Sequence, residues 1–208
     1  MTATVRAAFR FLTGAVVAAA CGWAIAQGVG FVRFRLASSA LAAARHPLSA
    51  AAEWRDRAGL ASLAVAEALR APVDAGDLDK AHERETLLIE YLSSRPASSQ
   101  TWIALAASRY SVGAPTAAVA SAFRMSAMTG PNEEIAMTQR ALFGLLQWDM
   151  LPSDVRTRAV SDLCGLAIVN IAQLRLVMSV KNDAARAAIR DGLGASGCSD
   201  SFIRQIGL

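Results

Sequence analysis

An uncharged stretch near the start of the chain limits most strongly what this sequence can fold into. Residues 11–32 contain no charged side chain, and they are flanked by Arg6 and Arg10 on one side and by Arg33 and Arg35 on the other. A helix of this length measures roughly 33 Å, which is enough to cross the hydrocarbon of a bilayer. The stretch therefore predicts one transmembrane helix, followed by a water-soluble body.

Two other interpretations of this stretch stay open. Residues 24–26, Ala-Ile-Ala before Gln27, fit the cleavage site of a signal peptide, and Cys21 after three alanines fits a lipid-attachment site less well. The uncharged run continues past the cleavage site to Val32, and Ala18 stands where a lipoprotein signal usually has leucine. We therefore favour a retained anchor over cleavage or lipidation.

The orientation of the anchor does not follow from its flanking charges, because similar numbers of arginines lie on both sides. A short N-terminus before a large body is the usual plan of a signal anchor. We therefore expect a bacterial inner-membrane protein whose body is periplasmic. Gly14, Ala18 and Gly22 recur at four-residue spacing and can form a slim face for packing against another transmembrane helix. The alternative is that they only reflect an alanine-rich composition.

The body is expected to be all-α. Hydrophobic residues make up 54% of the chain, much of this as alanine, and strand-like alternation is scarce. Proline, glycine and capping residues divide the body into helices, the first from about Ala50 to Arg70 and the second from about Leu78 to Ser93. The apolar run from Leu163 to Val180 is interpreted as buried core and not as a second span, because Asp162, Arg175 and Lys181 accompany it.

The predicted organisation has five parts. They are a tail at 1–10, a transmembrane helix at 11–35, a stalk at 36–48, a helical body at 49–192 and a C-terminal tail at 193–208.

Part of the body resembles a tetratricopeptide repeat. Pro96 and Pro131 are 35 residues apart, close to the family period of about 34 residues. Between them, Trp102-x-x-Leu105-Ala106 follows the opening of the family motif with alanine for glycine, Tyr110 comes one place late, and Phe123 keeps the family spacing. The resemblance covers 96–131 well, 50–93 loosely, and 132–168 only as helix pairing. It implies antiparallel helix pairs that stack and bury a shared apolar face; a plain antiparallel bundle is the alternative.

The segment 120–134 also resembles small membrane-anchored helical-repeat proteins that accompany polysaccharide export and polymerisation systems of Gram-negative bacteria. That resemblance implies an adaptor or accessory subunit of an envelope complex, with an integral membrane or envelope protein as its partner. Trp102, Arg109, Tyr110 and Arg124 are the candidate partner-binding residues on the body. The alternative is that the two aromatics are core and the two arginines are solvated.

Residues with catalytic or metal-binding potential are sparse. His46 and His82 have no accompanying ligand motif, and we expect no metal, no cofactor and no catalytic site. The net charge of +4 is spread along the chain, which does not favour nucleic-acid binding. Cys164 and Cys198 can form a disulfide in an oxidising compartment or remain two unrelated thiols. A secreted or lipid-anchored enzyme with a cleft, or a purely structural subunit, are the rival functions.

Overall fold

The structure is a computed structural model that describes residues 3–42, 50, 54, 78–166 and 169–208. Side chains are described for most of these residues, but in the first helix only between residues 16 and 37. The chain divides into two units, Met1–Pro72 and Val73–Leu208, and each is described by itself. All regular structure within the described ranges is helical, as the composition predicts.

The first unit contains one long helix, α1, which spans Ala3–Ala42. Its segment Val16–Ala37 is 22 residues long, has a mean hydropathy of 1.4 and is long and apolar enough to cross a membrane. The helix begins at Ala3 and continues through residues 36–42 without interruption, so residues of the predicted tail and stalk belong to it. Alanine and leucine, which favour helix, dominate that continuation, so nothing in it ends the helix. The predicted helix at 50–70 falls almost wholly outside the described residues.

The second unit begins with five helices joined by short connections. They are α2 (Leu78–Ser94), α3 (Ser99–Ser111), α4 (Thr116–Thr129), α5 (Glu134–Leu146) and α6 (Ser153–Gly165). Pro115 and Pro152 stand directly before α4 and α6, where a missing N–H group leaves no helical hydrogen bond unmade. Gly113 turns the chain after α3 with φ of 72°, a backbone conformation that side chains disfavour.

Packing among these five helices follows the chain order. α2 packs on α3, α3 on α4, and α5 on α6. Contacts also join α3 to α5 and α4 to α6, so alternate helices are neighbours as well. α5 and α6 approach closely at Gly144, where a Cβ atom would collide with the side chain of Ala159.

A 3-10 turn at Trp148–Met150 lies between α5 and α6. Three further helices follow α6. They are α7 (Ile171–Ser179), α8 (Asp183–Ala195) and α9 (Asp200–Gln205). Each is preceded by an N-cap residue whose side chain accepts a backbone N–H, namely Asn170, Asn182 and Ser199. Such caps satisfy donors that the first turn leaves free.

The C-terminal residues are core and not a tail, which differs from the predicted division at residue 193. Ile203 and Ile206 are buried against Leu193, Leu174 and Trp148, in one apolar cluster with the ends of α5 and α6. A disulfide between Cys164 and Cys198 joins the end of α6 to the segment before α9, with 5.2 Å between the two Cα atoms. The glycine-rich composition of 192–197 suggested loose chain, but apolar contacts on both sides of it decide the structure.

Candidate partner-binding surface

Arg109 uses its charge within the body. Its Nε donates to Oε1 of Glu85 on α2 at 3.1 Å, and its Nη1 donates to the carbonyl of Ala118 on α4 at 3.1 Å. The side chain is half-buried. Arg109 therefore joins three helices, and little of its guanidinium remains for a partner.

Arg124 forms a two-pronged ion pair with Asp154 between α4 and α6. Its Nε lies 2.7 Å from Oδ2 and its Nη2 lies 3.0 Å from Oδ1. The hydrogen bond from Arg124 holds the pKa of Asp154 below its ordinary value, and the same bond raises the pKa of Arg124. Both side chains remain exposed, so this pair is open to solvent and is screened by salt.

The two predicted aromatics lie at opposite ends of α3. Trp102 is half-buried, and its indole Nε1 donates to the carbonyl of Pro96 at 2.7 Å. Tyr110 is 43% exposed and meets the ring of Phe143 on α5 edge-on, with 6.2 Å between the ring centroids. The four predicted residues thus have different contacts within the body.

Further exposed apolar side chains lie on α5 and α7. Phe143, which Tyr110 contacts, lies one helical turn before Leu146 on α5. The carbonyl of Leu146 accepts a hydrogen bond of 2.7 Å from Lys181, next to Val180 at the end of α7. We call Tyr110, Leu146, Leu176 and Val180 the apolar row; all four are exposed.

One part of the apolar row could have been predicted from the spacing of apolar residues in α7. In α7 the buried residues are Leu174, Val177 and Met178, and Leu176 and Val180 lie on the opposite face at four-residue spacing. A helix with apolar residues on both faces either is buried all round or has a second partner. The four residues of the row come from three helices, α3, α5 and the α7 segment.

A buried charge network fastens the turn between α4 and α5. Arg140 is fully buried, and its Nε and Nη2 donate to the two oxygens of Asp162 on α6 at 2.6 and 3.2 Å. Its Nη1 donates to the carbonyls of Ser126 and Gly130, each at 3.1 Å. Arg158 adds a second ion pair with Asp162 at 2.8 Å. The network therefore fixes α4, the following turn, α5 and α6 to one another.

Sequence reasoning missed this network, although a signal for it exists. Arg140 stands between the small buried residues Ala136 and Gly144 at four-residue spacing on α5. Asp162 stands between the buried residues Val160 and Leu163 on α6. Opposite charges at positions of a buried face predict an ion pair across the helix interface, because an isolated buried charge is strongly unfavourable.

The predicted packing face of α1 is open in the described unit. Ala18 is exposed, and a Cβ atom at Gly22 would meet nothing within 4 Å. Gly14 belongs to the same helix, outside the part whose side chains the structure describes. Among the described residues, nothing covers this face at Ala18 or Gly22.

A pocket of about 270 Å³ lies beside the disulfide. Apolar side chains from the end of α6 and the start of α7 line it, together with Phe202 and Ser199. The Ser199 hydroxyl is engaged as the cap of α9. The pocket thus has no acid, base or charged group among its lining residues that could act on a substrate.

Metal-ligand side chains are not clustered in the described part of the chain, where no three His, Cys, Asp or Glu residues come together. His82 is exposed, with Nδ1 2.7 Å from the carbonyl of Leu78. His46 lies outside the described residues.

The arrangement is that of an all-helical body with exposed apolar side chains and a separate long apolar helix. Comparison with known protein families, curated proteins and solved structures found no match to this chain. Its function must be argued from its own residues.

Proposed function

We propose that the protein is a single-pass membrane-anchored adaptor whose helical body binds another protein. The observation that carries this proposal is the exposure of apolar side chains in both units: α1 between Val16 and Val32, and the apolar row of the body. Exposed apolar surface of this kind marks sites that a membrane or a partner covers. The proposed role is binding and not catalysis.

The helical body supplies a suitable scaffold. Contacts of α3 with α5 and of α4 with α6 are those that tetratricopeptide-like stacking of two hairpins would make, α3–α4 on α5–α6. In such a stack alternate helices line one face, and α3, α5 and α7 carry the apolar row. A partner helix can place an apolar stripe on that row, with side chains at three- and four-residue spacing as anchors.

The disulfide supports a body outside the cytoplasm. Disulfides persist in oxidising compartments and are rare in the reducing cytosol. A bacterial inner-membrane anchor with a periplasmic body agrees with that chemistry. The resemblance of residues 120–134 to helical-repeat proteins of envelope polysaccharide systems favours an integral membrane protein of such a machine as the partner.

Site-specific photocrosslinking in native membranes tests the proposed docking face. A photoreactive phenylalanine analogue in place of Tyr110 should give one discrete crosslinked product with an integral membrane protein. The matched control carries the analogue in place of Ser121, which is exposed on α4 away from the row. A product from Tyr110 that disappears in the Leu176→Glu variant, but persists in a Ser161→Glu variant, supports the docking face.

The opposite results would reject it. Equal products from positions 110 and 121, or a product that Leu176→Glu does not change, would mean that the row is not the docking site. A chain that leaves the membrane on alkaline extraction while its N-terminus remains intact would contradict the anchor itself.

Alkylation of thiols in intact cells tests the sidedness. With Cys21→Ser as background, a maleimide reagent should modify Cys164 and Cys198 only after reduction, since the disulfide protects both. Quantitative labelling without a reductant would show free thiols and would contradict an oxidising location.

A further inference from the structure

The surroundings of α1 change abruptly at one point along the helix. Every described side chain from Val16 to Val32 is exposed. Phe34, two residues later, is only 3% exposed. Within the described part of α1, this is the first side chain that protein covers.

The covering group includes the ring of Trp54. The rings of Phe34 and Trp54 meet edge-on, with centroids 5.4 Å apart, and Trp54 is itself buried. α1 continues beyond Phe34 to Ala42, a further distance of roughly 12 Å. Trp54 therefore lies beside the helix and not beyond its end.

Lipid and protein cannot cover the same helix face at the same level. By composition alone the candidate span extends to Ala37, but Phe34 is already covered by protein. The part of α1 that lipid can surround on every side therefore ends before Phe34. A span of about 20 residues counted back from Val32 begins near Thr13, three residues after Arg10.

Arg33 lies at this boundary with an exposed side chain. Long cationic side chains at the ends of spanning helices extend towards the head groups, and a guanidinium can bind a phosphate through two parallel hydrogen bonds. We propose that Arg33 binds the phosphate of phospholipid head groups where α1 leaves the hydrocarbon. The Phe34–Trp54 pair is then the first protein-packed layer outside the hydrocarbon. This inference rests on the membrane anchor of the proposed function. It adds the depth of α1 in the bilayer and the contact of Arg33 with lipid phosphate.

Depth measurements with spin labels test the boundary. The full chain is reconstituted in vesicles of phosphatidylcholine and phosphatidylglycerol, without reductant so that the disulfide stays intact. Labels are placed one at a time on native Cys21 and, in a Cys21→Ser background, on Val29→Cys and Leu36→Cys. Accessibility to oxygen and to a water-soluble nickel chelate reports the depth of each label.

Labels at 21 and 29 should be accessible mainly to oxygen, and the label at 36 mainly to the nickel chelate. A label at 36 in the hydrocarbon would overturn the boundary while leaving the anchor intact. A label at 21 in water would refute the anchor, and with it the proposed function, so the two failures are distinguishable.

Two substitutions of Arg33 test the phosphate contact. In Arg33→Gln the label at 29 should change depth by about 1.5–3 Å, one or two residues of helix rise. In Arg33→Lys, which keeps a cation at the same position, the depth should stay at that of the parent. The same depth in the glutamine variant as in the parent would overturn the contact.

Discussion

Two stretches of similar apolar character in this chain have opposite surroundings. In α1 the described side chains between Val16 and Val32 are exposed. In the body the run from Leu163 to Val180 is divided between α6 and α7, and Leu163, Leu174 and Val177 are buried. Within the described residues only the first stretch is long and apolar enough to cross a membrane as one helix.

The difference shows that polar residues, more than hydrophobic content, decide whether an apolar stretch is exposed as one long helix or buried in the body. Asn170 interrupts the second run and caps α7, and Asp162 ends up in a buried ion pair with Arg140. The first run contains Thr13 and Gln27 but no charged side chain until Arg33. Stability of the body should therefore depend on specific contacts, whereas α1 should tolerate changes that keep it apolar.

The largest effect is expected where the specific contacts are charged. Asp162→Ala removes the partner of the fully buried Arg140, and the free energy of unfolding should fall by about 3–5 kcal/mol. The measurement is urea unfolding of the full chain in detergent, followed by circular dichroism. Asp154→Ala is the matched control, since it breaks an exposed Arg–Asp pair whose aspartate lies on the same helix, α6. Equal losses in both variants would contradict the distinction between buried and exposed pairs.

Matched isoleucines compare the two regions directly. Ile189 is fully buried in the body, so Ile189→Ala should lower the free energy of unfolding by about 2–4 kcal/mol through lost burial and a cavity. Ile25 is exposed on α1, and Ile25→Ala should leave the urea midpoint of the body unchanged. A comparable shift in both variants would mean that α1 is part of the folding core.

Glycine substitutions test how closely helices approach in the body. Gly144→Ala places a methyl group against Ala159, and we expect a loss of about 1–3 kcal/mol from overpacking. Gly194→Ala is the control in α8, where a Cβ atom meets nothing within 4 Å. It should be neutral or slightly stabilising, because alanine restricts the unfolded chain. A neutral Gly144→Ala would show that α5 and α6 can separate freely.

The smallest effect is a pH dependence from the exposed pair. Arg124 lowers the pKa of Asp154 in the folded state, so the carboxylate stabilises the fold above its unfolded pKa. That contribution should disappear as the pH falls through the lowered folded value. Asp154→Asn should remove this part of the acid dependence of stability. An acid transition identical in the parent and in Asp154→Asn would argue against the interaction in solution.

The helix predicted from about Leu78 to Ser93 agrees with α2 to within one residue. Gly113, Pro115, Pro131 and Pro152 mark real turns, because proline and glycine act on the local backbone whatever the tertiary context. Residues 193–208 were predicted to be a tail. The apolar residues of this short segment give little local indication that they are buried. Ile203 and Ile206 stabilise the fold only by packing in a cluster with residues of distant helices.

The candidate surface was less predictable than the helices. Trp102, Arg109 and Arg124 are suggestive residue types, but each contacts a different part of the body. The apolar row combines residues from three helices, and their proximity depends on how α3, α5 and α7 align. A single sequence does not contain that information in any local pattern.

The amino-acid order alone determined that this chain is helical, through helix propensity, and where most of its helices break, through turn chemistry. It also determined, through hydropathy along the backbone, that one helix is apolar enough for a membrane. Only the tertiary structure decided that Arg140 and Asp162 share a buried site and that the last residues belong to the core. It also decided that Trp54 covers Phe34. Such outcomes depend on contacts between residues far apart in the chain, whose geometry is set only when whole helices pack.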